Sequence, residues 1–219
     1  MGQSCERMGS MKAFIFDLDG VLVFTDQFHY QAWKQLAEEH GIYFDEKINQ
    51  RLRGVSRMDS LEIILEKYEG KPLSTQEKIA LADKKNAIYR EFLSTMSPAD
   101  VAQEVRDTLE ELHGRGYVLA LGSSSKNAKY ILEKVHLTTY FDVISDGTNI
   151  SRSKPNPEVF LKAAEYMQIA PEECYVVEDA KAGIDAAKAG GMTAIGIADA
   201  AHYEKTDIAI RRFADLLLL

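Results

Sequence analysis

Ala13-Phe14-Ile15-Phe16-Asp17-Leu18-Asp19-Gly20-Val21 is the stretch from which the fold is read. Four apolar residues without alternation suit a strand buried on both faces of a parallel sheet. They run straight into two aspartates and a glycine. Aspartate is disfavoured in strands, so the pair marks the strand's end, and at a spacing of two on extended chain both side chains leave the same face.

Further apolar runs lie at 117–121, 141–144, 175–177 and 193–197, and segments of helical period separate them at 101–113, 128–135, 158–167 and 180–189. This alternation predicts an α/β fold with a doubly wound parallel sheet. One connection breaks the rhythm, because about 100 residues separate the first run from the second, far more than an ordinary crossover needs. Its content is helical by period, at 28–39, 58–68 and 76–93, with no convincing strand. Ser97-Pro98, an N-cap followed by proline at the first helical position, marks the return. The expected organisation is an irregular extension at 1–10, a core of 11–23 and 98–219, and an inserted α-helical cap domain at 24–97.

The chain has 219 residues, 46% of them hydrophobic, and only 5 prolines, enough for a substantial core and unlike a disordered composition. Cys5 and Cys174 form neither a disulfide framework nor a zinc pattern, so a reducing, cytoplasmic setting fits. No apolar run approaches the length of a membrane span, and Glu6 stands where a myristoylation signal wants Ser or Thr, so no membrane partner is expected. A net charge of −8 argues against a nucleic-acid partner. A single core under a mobile cap suggests a monomer.

In open α/β sheets ligands bind beyond the carboxyl ends of the strands. There the sequence delivers Asp17 and Asp19, then Ser123-Ser124-Ser125, then Glu178-Asp179, with Lys154-Pro155-Asn156-Pro157 just beyond the third run. Two carboxylates at a spacing of two can divide the labour of nucleophile and proton carrier, or simply cap the turn before Gly20. Glu178-Asp179 at the same edge adds repulsion that a divalent cation would relieve, and an oxygen-only donor set suits Mg²⁺; the same pair would also serve as a helix N-cap. Serine hydroxyls beside helix N–H groups make an anion site or an ordinary cap. Asn156-Pro157 reads as a helix start, which leaves Lys154 as a fixed cation for a carboxylate and a phosphoryl group.

Together, Asp17-Leu18-Asp19-Gly20-Val21, Gly122-Ser123-Ser124-Ser125, Lys154-Pro155 and Val177-Glu178-Asp179 resemble, in order and over nearly the whole chain, the four motifs of the haloacid dehalogenase superfamily of phosphotransferases. The resemblance implies Asp17 as nucleophile and Asp19 as general acid/base. Its Mg²⁺ ligands would be the Asp17 side chain, the Asp19 backbone carbonyl, Asp179 and Glu178, with Ser123 and Lys154 holding the transferring phosphate. The helical insertion resembles the cap of the β-phosphoglucomutase-like branch. Within it His29, Trp33, the loop Arg53-Gly54-Val55-Ser56-Arg57 and Lys85-Asn86 look like that branch's substrate pattern, as does Ser123-Ser124-Ser125-Lys126-Asn127 in the core.

That likeness implies a small phosphosugar substrate, β-glucose 1,6-bisphosphate as phosphoryl donor, and interconversion of β-D-glucose 1-phosphate with glucose 6-phosphate. The alternative is a sugar-phosphate phosphatase on the same core, and a non-catalytic phosphosugar-binding module ranks last because Asp17, Asp19 and Lys154 are all present. Arg57 would clamp a second phosphate bidentately, assisted by Ser125, Lys126 and Asn127, although arginines near a helix boundary are commonly just solvated. His29 suits a satisfied, partly buried histidine equally well, Trp33 suits packing, and Lys85 by default sits on a helix surface. One departure stands out: the family's Asp-Thr or Asp-Ser after the first motif is here Phe24-Thr25-Asp26, with Thr25 keeping the hinge position.

Overall fold

The computed structural model describes residues 11–52 and 56–219, so the expected extension at 1–10 and the loop residues Arg53, Gly54 and Val55 lie outside the described residues. Six parallel strands form one sheet in the order β3-β2-β1-β4-β5-β6: β1 (Ala13–Phe16), β2 (Val118–Gly122), β3 (Val143–Ser145), β4 (Cys174–Glu178), β5 (Thr193–Gly196) and β6 (Ile208–Ala209). Strand β1 lies at the centre, paired with β2 from Ala13↔Val118 to Phe16↔Leu121 and with β4 from Ala13↔Cys174 to Phe16↔Val177. The chain order reverses there, so the ends of β1, β2 and β4 meet at the crevice where such sheets place ligands.

Alternation along β1 sends its side chains into two different cores. Phe14 and Phe16 join Leu119, Leu121 and Val177 under α5 (Gln103–Gly114) and α6 (Ala128–Lys134). Ala13 and Ile15 join Ala120, Val176 and Ala194 under α7 (Glu158–Met167) and α8 (Lys181–Ala189). All four are fully buried, which is why the run shows no polar position.

Among the described residues four α-helices lie between β1 and α5, α1 (Asp26–Glu39), α2 (Glu46–Gln50), α3 (Arg57–Leu65) and α4 (Thr75–Leu93). They share an apolar cluster of their own, built on Trp33, Leu36, Ile48, Leu61, Ile64 and Ala82. Ala32, Ile88, Tyr89 and Leu93 instead join the core cluster beneath. One face of the α1/α4 pair therefore packs on the insertion and another on the sheet side. Ser74 starts α4 with a capping box, accepting from the Glu77 N–H while the Glu77 carboxylate accepts from the Ser74 N–H at 2.7 Å.

Several boundaries differ from expectation. The two-residue β6 and the five-residue α2 escaped the sequence reading because neither spans a full hydrophobic period. Ser97 caps a 3₁₀ turn, Pro98–Asp100, and α5 opens only at Gln103. Pro157 occupies the N-cap position of α7, with the Asn156 side chain accepting from the Glu158 N–H at 3.1 Å. Among the described residues no helix is long and apolar enough to cross a membrane.

Candidate active site

The site grows from the end of β1. Asp17 continues the ladder, donating its N–H to Val177 at 3.0 Å, and its side chain is nearly buried. Leu18 turns into the core, which leaves Asp19 to point away with Asp17. The hydroxyl of Thr25 donates to Asp19 Oδ1, and the hydroxyl of Tyr89 donates to Thr25 Oγ1 at 3.0 Å. Gly20 has φ +86°, and a Cβ there would run into the carboxylate of Asp179, so a side chain at this turn would displace an acidic group from the site.

Glu178 and Asp179 arrive at the end of β4. Glu178 is 1% exposed, and its Oε2 accepts the N–H groups of Asp179 and Ala180 at 3.1 and 3.2 Å, but α8 opens after Ala180 with no side-chain cap, so the alternative of a helix N-cap is not what this pair does. Gly183 in α8 makes room for that carboxylate, since a Cβ would overlap it. Lys154 Nζ lies 2.5 Å from both Asp17 Oδ1 and Glu178 Oε1 and 4.6 Å from the centre of the Phe160 ring. The lysine that no capping argument explained thus joins the two strand ends.

Burial raises the carboxyl of Asp19 to about 7, with the Asp17 charge adding to it and Thr25 opposing. Asp179 is likewise pushed up to about 7, by burial and then by Asp17. Burial alone would lower Lys154, but Asp17 and Glu178 outweigh it and hold the ammonium charged. One cation facing several carboxylates leaves the edge short of positive charge. Carboxylate oxygens of Asp17, Glu178 and Asp179 lie within 4.8 Å of one another, an oxygen-only set whose chemistry fits a hard divalent cation such as Mg²⁺.

Beyond β2 the serines shape a turn. Ser123 Oγ accepts from the Ser125 N–H and Ser125 Oγ from the Asn127 N–H, each at 3.2 Å, so both hydroxyls act in the backbone fold of the loop. Ser124 Oγ accepts the Lys154 N–H at 3.5 Å, placing this loop beside Lys154. Ser123 and Asn127 are buried, whereas Lys126 is exposed at the rim.

In the helical insertion, Lys85 is not at a surface position, as its sequence context suggested, but 2% exposed. Its Nζ shares a hydrogen bond with His29 Nδ1 at 2.8 Å and lies 4.5 and 4.9 Å from the ring centres of Tyr89 and Trp33. Burial, with the Arg57 charge adding to it and Asp19 opposing, lowers Lys85 to about 7, and burial with the Lys85 charge keeps His29 neutral. Trp33 is a packing residue of the insertion that also forms one wall of this cage. Ser56 caps α3, accepting from the Asp59 N–H at 3.2 Å, while Arg57 Nη2 donates to Asn86 Oδ1 at 2.9 Å. The Asn127 side chain donates to the same Asn86 oxygen at 2.9 Å and so ties the insertion to the core. Tyr89 and Arg90 were missed from the sequence. The available signal was their i+4 spacing from Lys85 and Asn86, which puts each pair on one helix face.

This sheet, with an aspartate pair at the end of its central strand and a lysine and acidic pair at the neighbouring ends, carries the chemistry of a phosphoryl-transfer fold. The family model for haloacid dehalogenase-like hydrolases matches residues 11–191, and the chain belongs to that family. It is 39% identical over 214 residues to a β-phosphoglucomutase of Bacillus subtilis (strain 168), covering 95% of this chain and 92% of that protein. It is 33% identical to a phosphorylated carbohydrates phosphatase of Thermotoga maritima, over 84% of each chain. The crystal structure of a β-phosphoglucomutase from Clostridium difficile superposes with a TM-score of 0.86 at 35% identity, covering 94% of this chain and 93% of that one.

Proposed function

We propose that the protein is a Mg²⁺-dependent mutase that interconverts β-D-glucose 1-phosphate and glucose 6-phosphate through a phospho-aspartate on Asp17, with residues 24–97 as a cap over the core of 11–23 and 98–219. The observation that carries this reading is the Arg57–Asn86–Asn127 connection. It pairs a cap arginine with a core amide and offers a second anionic group a grip that a one-phosphate hydrolase does not need. The Bacillus subtilis and Clostridium difficile mutases support the same choice.

In this reading phospho-Asp17 faces β-glucose 1-phosphate, and Asp19 takes the proton from the sugar's O6 hydroxyl. O6 bonds to phosphorus as the Asp17–phosphorus bond breaks, giving β-glucose 1,6-bisphosphate. The bisphosphate turns over, the Asp17 carboxylate attacks the phosphorus on O1, and Asp19 returns its proton to O1 as glucose 6-phosphate leaves. Lys154 and Ser123 hold the transferring group, while Arg57 with Asn127 holds the other phosphate. Asp17, the Asp19 backbone carbonyl, Glu178 and Asp179 would hold Mg²⁺, which when bound supplies neutralisation of the phosphoryl oxygens. Thr25 orients Asp19, and the His29–Lys85 pair with Trp33 lines the sugar side. Closure of the cap excludes water, the competing acceptor. The reading includes a monomer in the cytoplasm.

The test couples glucose 6-phosphate formation from β-glucose 1-phosphate, with Mg²⁺ and catalytic bisphosphate, to a parallel measurement of free phosphate. Fast isomerisation with little phosphate release is the expected result, with the α anomer inactive. Phosphate release without isomerisation would replace the mutase by a sugar-phosphate phosphatase, the reading favoured by the Thermotoga maritima relative and by Phe24, 76% exposed beside the hinge threonine.

A further inference from the structure

Arg57, Asn86, Asn127 and Arg90 form a hydrogen-bonded row across the join between the helical insertion and the core. Arg57 Nη2 and Asn127 Nδ2 both donate to Asn86 Oδ1 at 2.9 Å, and Arg90 Nη1 donates to Asn127 Oδ1 at 3.1 Å. Asn86 and Arg90 are one turn apart on α4, so a single helix face meets both ends of the Asn127 amide. The Arg90 guanidinium also lies 4.3 Å from the centre of the Tyr130 ring on α6, which fixes its plane.

The ends of this row are chemically asymmetric. Arginine carries donors and no acceptor, whereas a carboxamide carries both, so the two arginines decide which way each amide faces. Turning Asn127 over would set its NH₂ against Arg90 and its oxygen against the Asn86 oxygen. In the orientation observed, one Nδ2 hydrogen goes to Asn86 and leaves the other for an anion. A turned amide would present an oxygen to that anion and repel it.

We propose that Arg90 is a positioning residue for the second phosphate of a bisphosphorylated sugar: it acts through Asn127, holding its amide with the N–H side toward the anion while pinning cap helix α4 to the core. This rests on the mutase reading above, because only a substrate with two phosphates uses the grip. Arg90 itself transfers nothing and need not touch the ligand.

The experiment compares two phosphoryl donors for Asp17, β-glucose 1,6-bisphosphate and acetyl phosphate, on the wild type, Arg90→Met, Arg90→Lys, Asn127→Ala and Arg90→Met combined with Asn127→Ala. Methionine keeps apolar contact with Tyr130 and removes the donor. For Arg90→Met, KM for the bisphosphate is expected to rise about tenfold, the effect of losing one hydrogen bond to a group that grips charge, with kcat and the acetyl phosphate reaction changed less than about twofold. Arg90→Lys, which still donates, should recover part of the loss, and the double variant should be no worse than Asn127→Ala alone. Equal losses with both donors, an unchanged KM for the bisphosphate, or additive effects in the double variant would overturn the inference while leaving the mutase reading intact. A wild type with no preference for the bisphosphate over acetyl phosphate would overturn both.

Discussion

Among the described residues two lysine side chains are almost withdrawn from solvent, and they meet opposite electrostatic surroundings. Lys154, at the sheet edge, lies 2.5 Å from each of two carboxylate oxygens and stays charged because Asp17 and Glu178 outweigh the cost of burial. Lys85, in the helical insertion, has a neutral histidine nitrogen and two aromatic faces, and burial lowers it to about 7. Residue type and burial are nearly the same, so the partners decide the charge. A lysine between carboxylates suits a group that must neutralise phosphate at every pH. A lysine among rings and an imidazole can change protonation near neutrality.

Removing the Lys154 ammonium breaks the comparison most severely. Lys154→Met leaves Asp17 and Glu178 facing each other without a cation, and loss of such a partner costs about 3 kcal/mol or more of stability. Under the proposed function phosphoryl transfer should fall by about a thousandfold or more, because the proposed charge-stabilising group is gone. Rapid-quench measurement of phospho-enzyme formation checks this, and retention of more than a tenth of the wild-type rate would remove Lys154 from the proposed machinery. Gly183→Ala attacks the same edge indirectly, since its Cβ overlaps the Glu178 carboxylate. The Mg²⁺ concentration for half-maximal activity is expected to rise about tenfold as Glu178 is displaced, and a Mg²⁺ titration of activity reads it directly.

At Lys85 the signature lies in pH. The folded-state value near 7 is below the ordinary lysine value, so between about pH 7 and 10 the unfolded chain holds a proton that the folded protein has released. Stability from this group therefore rises with pH across that window, and the cost of burial is full below it. Lys85→Met removes the titration: the variant should exceed the wild type in stability by its widest margin below pH 7, and the margin should shrink toward pH 10. Urea denaturation of both proteins at several pH values reads the difference. A margin independent of pH would mean that Lys85 remains protonated when buried, and that the two lysines are alike after all.

How far each region was legible follows from the same contrast. The sheet edge was readable because each strand ends in a polar group that the preceding apolar run cannot explain: Asp17 after Phe16, Ser123 after Gly122, Glu178 after Val177. The cage around Lys85 was not, because it joins His29 on α1 to Lys85 and Tyr89 on α4, and contact between two helices leaves no local spacing to read. Lys84 and Lys85 are neighbours of identical type, yet Lys84 pairs with Glu39 on the surface while Lys85 points inward. Only the phase of α4 separates them. The alternation of apolar runs and helical periods announced a parallel sheet but not the order of its strands, and β6, two residues long at the sheet's far edge, had too little sequence to announce itself.

Tyr89 connects the two regions and offers the finest test of whether they communicate. Its ring lies 4.0 Å from that of His29 and under Lys85, and its hydroxyl donates to Thr25, which in turn donates to Asp19. Tyr89→Phe keeps the ring and removes only the hydroxyl, so the pH dependence of stability assigned to Lys85 should persist. Thr25 loses its donor but keeps its own bond to Asp19, so the expected change is small: about 1 kcal/mol in stability and a two- to fivefold fall in kcat for transfer. The informative quantity is the ratio of sugar phosphorylation to phosphate release. If the hydroxyl aligns Asp19 with a sugar acceptor, the ratio falls while the Mg²⁺ requirement stays fixed. If the ratio holds as both rates drop together, the tyrosine acts on the fold of the hinge alone, and the cage around Lys85 and the edge around Lys154 work as separate units.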